Sequence, residues 1–292
     1  MSPLRHLPLL LLTGGIWGLT PSLAKLAIAE GVTPLAAGFE VALFSALFLL
    51  AICAVRRVPV PWNAAHRRHY FLSGLSGFAL ANFCSYTALA HIPAGFFALL
   101  LPLSPMLTVL GAALLGQERA GWRSVGGTLL GLGGVALAMA PGAALPDPSL
   151  LPWALLAVLT PVCFAASNLI AVRYAPPGGQ PLALAAGTLL LAAAQLALVL
   201  VLLGEWRWPL SGPWRADAIM VVQGMLNGTA YLCYFRLIAA AGPVVTSQTG
   251  YVATLAGIAW GVALFAEELG WLTIPAALLV FAGLFLVTTR RR

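Results

Sequence analysis

Charge is scarce in this chain. Its 292 residues include 15 Lys and Arg and 8 Asp and Glu, so 8% of the sequence is charged while 61% is hydrophobic. A soluble domain usually keeps about a quarter of its residues charged to cover a surface facing water, and this composition excludes such a surface. Cysteine and histidine are sparse as well. Cys53, Cys84, Cys163 and Cys233 all lie in apolar runs without metal-ligand spacing, and His6, His66, His69 and His91 are scattered. A disulfide scaffold, a zinc site or any other metal centre is therefore not expected, and no cofactor is implied. The sequence also lacks a Walker lysine motif, a dinucleotide fingerprint, HExxH and a nucleophile elbow. Asn227-Gly228-Thr229 has the form of a glycosylation acceptor but falls inside an apolar run, out of reach of the modifying machinery.

What the chain has is long apolar runs from end to end. About 20 helical residues cross a hydrocarbon core of ~30 Å, and ten runs approach that length: roughly 7–28, 32–54, 70–90, 94–115, 123–140, 151–172, 181–203, 216–237, 241–264 and 271–289. The first follows Arg5 as a signal peptide would, but it continues through Trp17 to Ile28 without a small-residue cleavage site, so it reads as a first transmembrane helix. The connections are short, the longest being Arg56 to His69 and Gly204 to Arg215, and leave no room for a soluble catalytic or nucleotide-binding domain. An intramembrane enzyme would need paired acids or a Ser–Lys pair, and Lys25, the sole lysine, stands at the end of span 1. The reading is an all-α, ten-helix membrane protein and not an enzyme.

The basic residues orient it. With a cytoplasmic N-terminus, Arg5, Arg56, Arg57, Arg67, Arg68, Arg119, Arg123, Arg173, Arg236 and Arg290 to Arg292 fall on the cytoplasmic side, against Lys25, Arg207 and Arg215 on the other. Twelve against three is a strong positive-inside bias. Both termini are then cytoplasmic, the bacterial inner membrane is the expected location, and the +7 formal charge reflects topology and not nucleic-acid binding.

Leu100–Trp122 and Thr249–Trp271 superpose at an offset of 149, which brings Leu115 onto Leu264, Glu118 onto Glu267 and Trp122 onto Trp271. Halves of about 1–145 and 146–292 hold five spans each. An odd count makes the two repeats enter the membrane from opposite sides, the inverted arrangement that serves alternating access. At these residues the chain resembles the drug/metabolite transporter superfamily and its EamA-domain members. The resemblance rests on Gly14-Gly15-Ile16-Trp17-Gly18, on Pro105 followed by Glu118, on the glycine-rich fifth span and on Glu267. It implies a central pathway lined by helices 1, 3, 4, 6, 8 and 9 and a small-molecule substrate such as an amino acid, sugar or nucleotide conjugate. The aromatic amino-acid exporter type is the nearest likeness. Two positions depart from the pattern: Thr254 stands where the first half has Pro105, and Glu40 where relatives commonly carry arginine.

Polar groups inside spans are costly unless they face water or a partner, so they mark a candidate pathway. Gln223, Asn227, Tyr231 and Tyr234 form a stripe on one face of span 8 at spacings of four, four and three. Asn82 and Tyr86 on span 3, Asn168 on span 6, Gln248 and Tyr251 on span 9, and Trp17 among the glycines of span 1 complete the set. The competing reading is that these amides and tyrosines only bond helix to helix. Pro21, Pro102, Pro105 and Pro161 free backbone carbonyls and bend helices, and with Trp260 they are candidates for gating. Glu40 is either a proton-coupling carboxylate or a structural or interfacial group that reaches water or pairs with Lys25. Glu118 and Glu267, at helix ends, are candidate gate charges. The face Gly127, Gly131, Gly133 and Gly134 is suited to close helix packing or to a dimer, leaving monomer and weak homodimer both open. The function expected is export of amino acids or similar metabolites across the bilayer. Multidrug or cationic-drug efflux and a non-transporting scaffold are the alternatives.

Overall fold

The computed structural model describes residues 7–116, 121–140, 145, 147–174, 176–247, 249–267 and 270–288; the side chains of 124, 171, 172, 235, 238–247 and 288 are outside the description. Glu118 and Gln248, both candidates above, lie outside the described residues. The described chain is helical throughout its spans. We label them α1 (Leu7–Ala29), α2 (Pro34–Val55), α3 (Ala64–Gly74, Leu75–Leu80 and Ala81–Leu89 in succession), α4 (Ala94–Leu100 and Leu103–Leu114) and α5 (Trp122–Ala138). The second half holds α6 (Leu151–Arg173), α7 (Pro181–Leu202), α8 (Trp214–Ser247), α9 (Thr249–Phe265) and α10 (Thr273–Thr288).

Local chemistry accounts for many boundaries. The Thr33 side chain accepts from the Ala36 N–H with Pro34 opening α2, and Asn63 accepts from the His66 N–H at the start of α3. Asp147 accepts from the Ser149 N–H, which holds its carboxyl below the ordinary aspartate range, and a single 3₁₀ turn then leads into α6. Gly31 and Gly204 adopt left-handed backbone just beyond α1 and α7, where a Cβ would be strained. Two boundaries differ from the sequence expectation. The Asn63 cap starts α3 at Ala64, several residues before the apolar run. The turn expected between spans 8 and 9 does not break the backbone, which stays helical to Ser247 and runs through Gly242-Pro243, a pair that ordinarily stops a helix; Ala239, Ala240 and Ala241 before it are the strongest helix formers.

Five described stretches are long and apolar enough by themselves to cross a membrane: Leu7–Ala29, Pro34–Val55, Ala94–Leu114, Pro148–Ile170 and Pro181–Leu202. The apolar stretches of α5, α9 and α10 are shorter, α3 is divided, and α8 carries the polar stripe. Helices lined with amides are less apolar because part of their surface faces neither lipid nor core.

The packing is pseudo-symmetric between the halves. Helix α1 packs on α8 and α9 as α6 packs on α3 and α4; α2 meets α8 as α7 meets α3; and α2–α7, α4–α9 and α5–α10 pair like with like. Small residues permit these approaches. Ala36, Ala37, Ala42 and Ala46 of α2 are fully buried, as are Ala186 and Ala192 of α7. Lipid is as apolar as leucine, so helix association depends on close contact and not on hydrophobic exclusion. The glycine face of α5 is used within the chain. A Cβ on Gly127 would stand 2.6 Å from the Gly283 carbonyl oxygen of α10, and one on Gly134 2.8 Å from that of Ala276.

Candidate functional site

A cavity of about 430 Å³ lies between the halves. Among the described residues it is walled by α1, α3, α4, α6, α8 and α9, with Val41 contributed by α2. Trp17, Asn82, Tyr86, Asn168, Gln223, Asn227 and Tyr231 all line it, together with Tyr234. Asn82 and Tyr86 on α3 correspond in position to Asn227 and Tyr231 on α8, an Asn-x-x-x-Tyr pair in each half. A π-helical stretch, Leu75–Leu80, directly precedes the first pair. Such widened turns recur at functional sites because they rephase the side chains that follow.

The amides are held by specific partners. The Gln223 Nε2 donates to the Thr20 carbonyl at 3.1 Å and to the Tyr86 hydroxyl at 2.8 Å. The Asn227 Nδ2 donates to Ser45 Oγ at 3.0 Å, and Ser45 passes its own proton to the Gly224 carbonyl at 3.1 Å. The Asn168 Nδ2 donates to Thr108 Oγ1, which donates in turn to the Ser104 carbonyl. Trp17 stands edge-on to Tyr231 with ring centroids 5.9 Å apart and tilted against Tyr234 at 5.1 Å, which gives one end of the cavity an aromatic wall.

The prolines divide. Pro21 and Pro105 line the cavity, whereas Pro102 and Pro161 do not. Pro102 separates the two pieces of α4 and has no N–H for the Ala98 carbonyl four residues back. The Thr254 hydroxyl of α9 reaches that carbonyl at 3.1 Å and the Gly250 carbonyl of its own helix at 3.0 Å, sharing one proton between them, and the Leu101 N–H also reaches the Ala98 carbonyl at 3.4 Å. Pro21 likewise frees the Trp17 carbonyl, which the Thr20 hydroxyl takes at 2.9 Å. Thr254, noted in the sequence only as a departure from proline, is thus the partner of a carbonyl released by proline in the other half.

Two candidates are elsewhere. Tyr251 is off the cavity with its ring against Phe281 of α10, 5.4 Å between centroids. Trp260 is exposed and lines nothing in the cavity. Tyr251 sits on a face of α9 turned away from the one that carries Thr249 and Ala253, whereas Trp260, seven residues after Ala253, shares that face two turns further along the helix, past the last residue of α9 that lines the cavity. The sequence reading missed the hydroxyls Thr20, Ser85, Ser104, Thr160, Ser167 and Thr249, all of which line the cavity. A signal was present for two of them, since Thr20-Pro21 and Thr160-Pro161 repeat on α1 and α6.

The charged groups gather at one end of the bundle. Glu267 accepts from the Ala94 and Gly95 N–H groups at 2.7 and 2.8 Å and pairs with Lys25 at 3.1 Å; Lys25 also donates to the Ile92 carbonyl. One carboxylate thereby ties α1, the start of α4 and the end of α9. Glu40 is fully buried, and its partner is Arg207 of the α7–α8 connection at 3.3 Å, not Lys25. Arg207 reaches Asp217 at the same distance. Lys25 is committed to Glu267, so of the readings offered for Glu40 the pairing with Lys25 is not the one found. Among the described residues no group of three His, Cys, Asp or Glu converges as a metal site.

The model of the EamA-like transporter family matches this chain twice, over residues 5–140 and 151–289. The chain is similar to uncharacterized protein PA1977 of Pseudomonas aeruginosa strain PAO1, at 32% identity over 255 residues covering 85% of this chain and 82% of the relative. Its fold is that of a solved crystal structure with a TM-score of 0.66, 23% identity, and coverage of 96% of this chain and 98% of the other.

Proposed function

The chain belongs to the EamA-like transporter family, whose members are transporters and not enzymes, and from that premise we propose that it is a secondary exporter of amino acids, aromatic or other apolar ones first, working by alternating access. The observation that carries the reading is the uncharged cavity of about 430 Å³, with amides at its centre and an aromatic wall. A volume in this range suits one small metabolite with a polar and an apolar part.

Residues 1–145 and 146–292 act as two inverted repeats in this proposal, and the cavity between them is exposed to one side of the inner membrane at a time. The twofold family match and the paired contacts support the division. The positive-inside bias supports cytoplasmic termini. The Lys25–Glu267 end is then extracytoplasmic and closed, consistent with the burial of Ala94–Leu100, while Asn168 is exposed nearer the opposite end. Glu267 serves as the gate carboxylate. Trp17, Asn82, Tyr86, Asn168, Gln223, Asn227 and Tyr231 bound the pathway.

Uptake of labelled amino acids into proteoliposomes tests the proposal. Saturable flux, reduced at least about tenfold in Asn227→Ala or Tyr231→Ala with insertion intact, is expected. Flux of cationic drugs alone, or unchanged rates in both variants, would overturn it. An imposed pH gradient decides the part played by Glu40. Gradient-driven accumulation lost in Glu40→Gln assigns it to coupling, and accumulation that persists leaves it the structural partner of Arg207.

A further inference from the structure

We infer that Ser45, which does not line the cavity, is a positioning residue for solute binding and acts through Asn227. This deepens the transport reading above and rests on it. Ser45 stands one turn beyond Val41 on α2 and is fully buried. Its hydroxyl has one proton and two neighbours, the Gly224 carbonyl at 3.1 Å and the Asn227 amide at 3.0 Å. A peptide carbonyl can only accept, so the proton goes to Gly224 and the Ser45 oxygen is left to accept from Asn227. The end of the amide that faces Ser45 is therefore the NH₂. Turning the amide over would leave one hydrogen bond where the same atoms now make two. The Asn227 oxygen and second N–H are then left for the cavity that Asn227 lines.

Two glycines of α8 make this contact possible. A Cβ on Gly224 would overlap Phe44, and one on Gly228 would overlap the Phe48 ring, so α2 rests directly on the α8 backbone. At that separation a side chain as short as serine reaches both a carbonyl and an amide. The first half has no such contact. Helices α2 and α7 both hold 22 residues, Pro34–Val55 and Pro181–Leu202, which places Ala192 where Ser45 stands. Asn82, the counterpart of Asn227, has no side-chain hydrogen bond among the described residues. One amide of the symmetric pair is thus fixed in plane and polarity, and the other is free to turn. A solute meets Asn227 already oriented and has only Asn82 to order, and that preorganisation favours binding.

Two measurements test the role of Ser45. Asparagine occurs four times, as Asn63, Asn82, Asn168 and Asn227, so selective ¹⁵N labelling gives four side-chain NH₂ signals. The one missing from Asn227→Ala belongs to Asn227. Ser45→Ala is expected to shift that signal and speed its exchange with water, leaving the Asn82 signal in place. In proteoliposomes Ser45→Ala is expected to raise the KM of L-phenylalanine uptake about fivefold, as loss of one neutral hydrogen bond would. The maximal rate per inserted protein should change by less than about twofold. In an Asn227→Ala background the same substitution should alter KM by less than about twofold, because the residue it acts through is already gone. An equal penalty in both backgrounds, or an Asn227 signal that Ser45→Ala leaves unmoved, would overturn the inference. Absence of saturable phenylalanine uptake in the unsubstituted protein would sink the amino-acid reading instead. The amide signal then decides the role of Ser45 by itself, a moved signal upholding it and an unmoved one overturning it. Should Ser45→Ala not fold, Ser45→Cys, a weaker acceptor of nearly the same size, carries the same comparisons.

Discussion

Glu267 has the most concentrated role of any residue in the chain. Its carboxylate answers two backbone N–H groups and one ammonium, and the glycines Gly95 and Gly261 leave it the space to do so. Glu267→Gln keeps the shape and removes the charge, and is expected to lower thermal stability by about 1–3 kcal/mol, read from unfolding in detergent. Alone it should change only weakly the labelling rate of a cysteine placed at Phe97, which lines the cavity beside this closure. Thr254→Val removes the hydroxyl shared between the Ala98 and Gly250 carbonyls, leaves the Ala98 carbonyl only the long Leu101 N–H, and should cost about 1 kcal/mol in the same assay. Little of this was legible in the sequence. Glu267 was recognisable as a helix-end acid, but its partner is 242 positions away, and hydropathy does not record distance. The partner of Glu40 was not legible for the same reason: three acids, Glu40, Asp217 and Glu267, and two bases, Lys25 and Arg207, allow several pairings at one end of the bundle, and only packing selects among them.

At the scale of helices the sequence was more informative, because lipid enforces a simple rule of length and apolarity. Most spans begin and end within a few residues of their apolar runs, and the interruption of α4 falls at Pro102. The π-helical stretch in α3 left no mark that periodicity could reveal. Neither did the continuation of α8 to Ser247, where alanines read equally well as turn flank and as helix. The glycine face of α5 could have served a partner chain, but its grooves are filled by Gly283, Val280 and Ala276 of α10. Gly134→Val is accordingly expected to destabilise the α5–α10 pair by about 1–3 kcal/mol, measured as a lower midpoint of thermal aggregation, with its oligomeric state unchanged.

For the molecule as a whole, the six walls of the cavity were implied by a family resemblance, and seven of the eight pathway candidates among the described residues line it, Tyr251 being the exception. The polar stripe of α8 was visible because amides are rare in such a chain. The six missed hydroxyls were not, since serine and threonine in membrane helices commonly bond their own backbone. Cys84 on α3 and Cys163 on α6 are near neighbours with free thiols. With Cys53 and Cys233 replaced by alanine, mild oxidation should join them, as seen by mass spectrometry of the digested chain. If α3 and α6 must slide for each cycle, the joined protein will bind solute and fail to move it, and reduction will restore flux.

The buried first piece of α4, Ala94–Leu100, is fastened at both ends: Glu267 holds its opening N–H groups, and Thr254 holds the carbonyl that Pro102 releases. Both fastenings come from α9 and the residues just after it. A seven-residue segment is about 10 Å long, and one fixed twice to the same neighbour behaves as a stopper wired to its frame and not as a hinged flap. Loosening one wire leaves the stopper seated. Opening rates should then respond weakly to Glu267→Gln or Thr254→Val alone and steeply to the two together, so the double variant is the one in which the seal would leak.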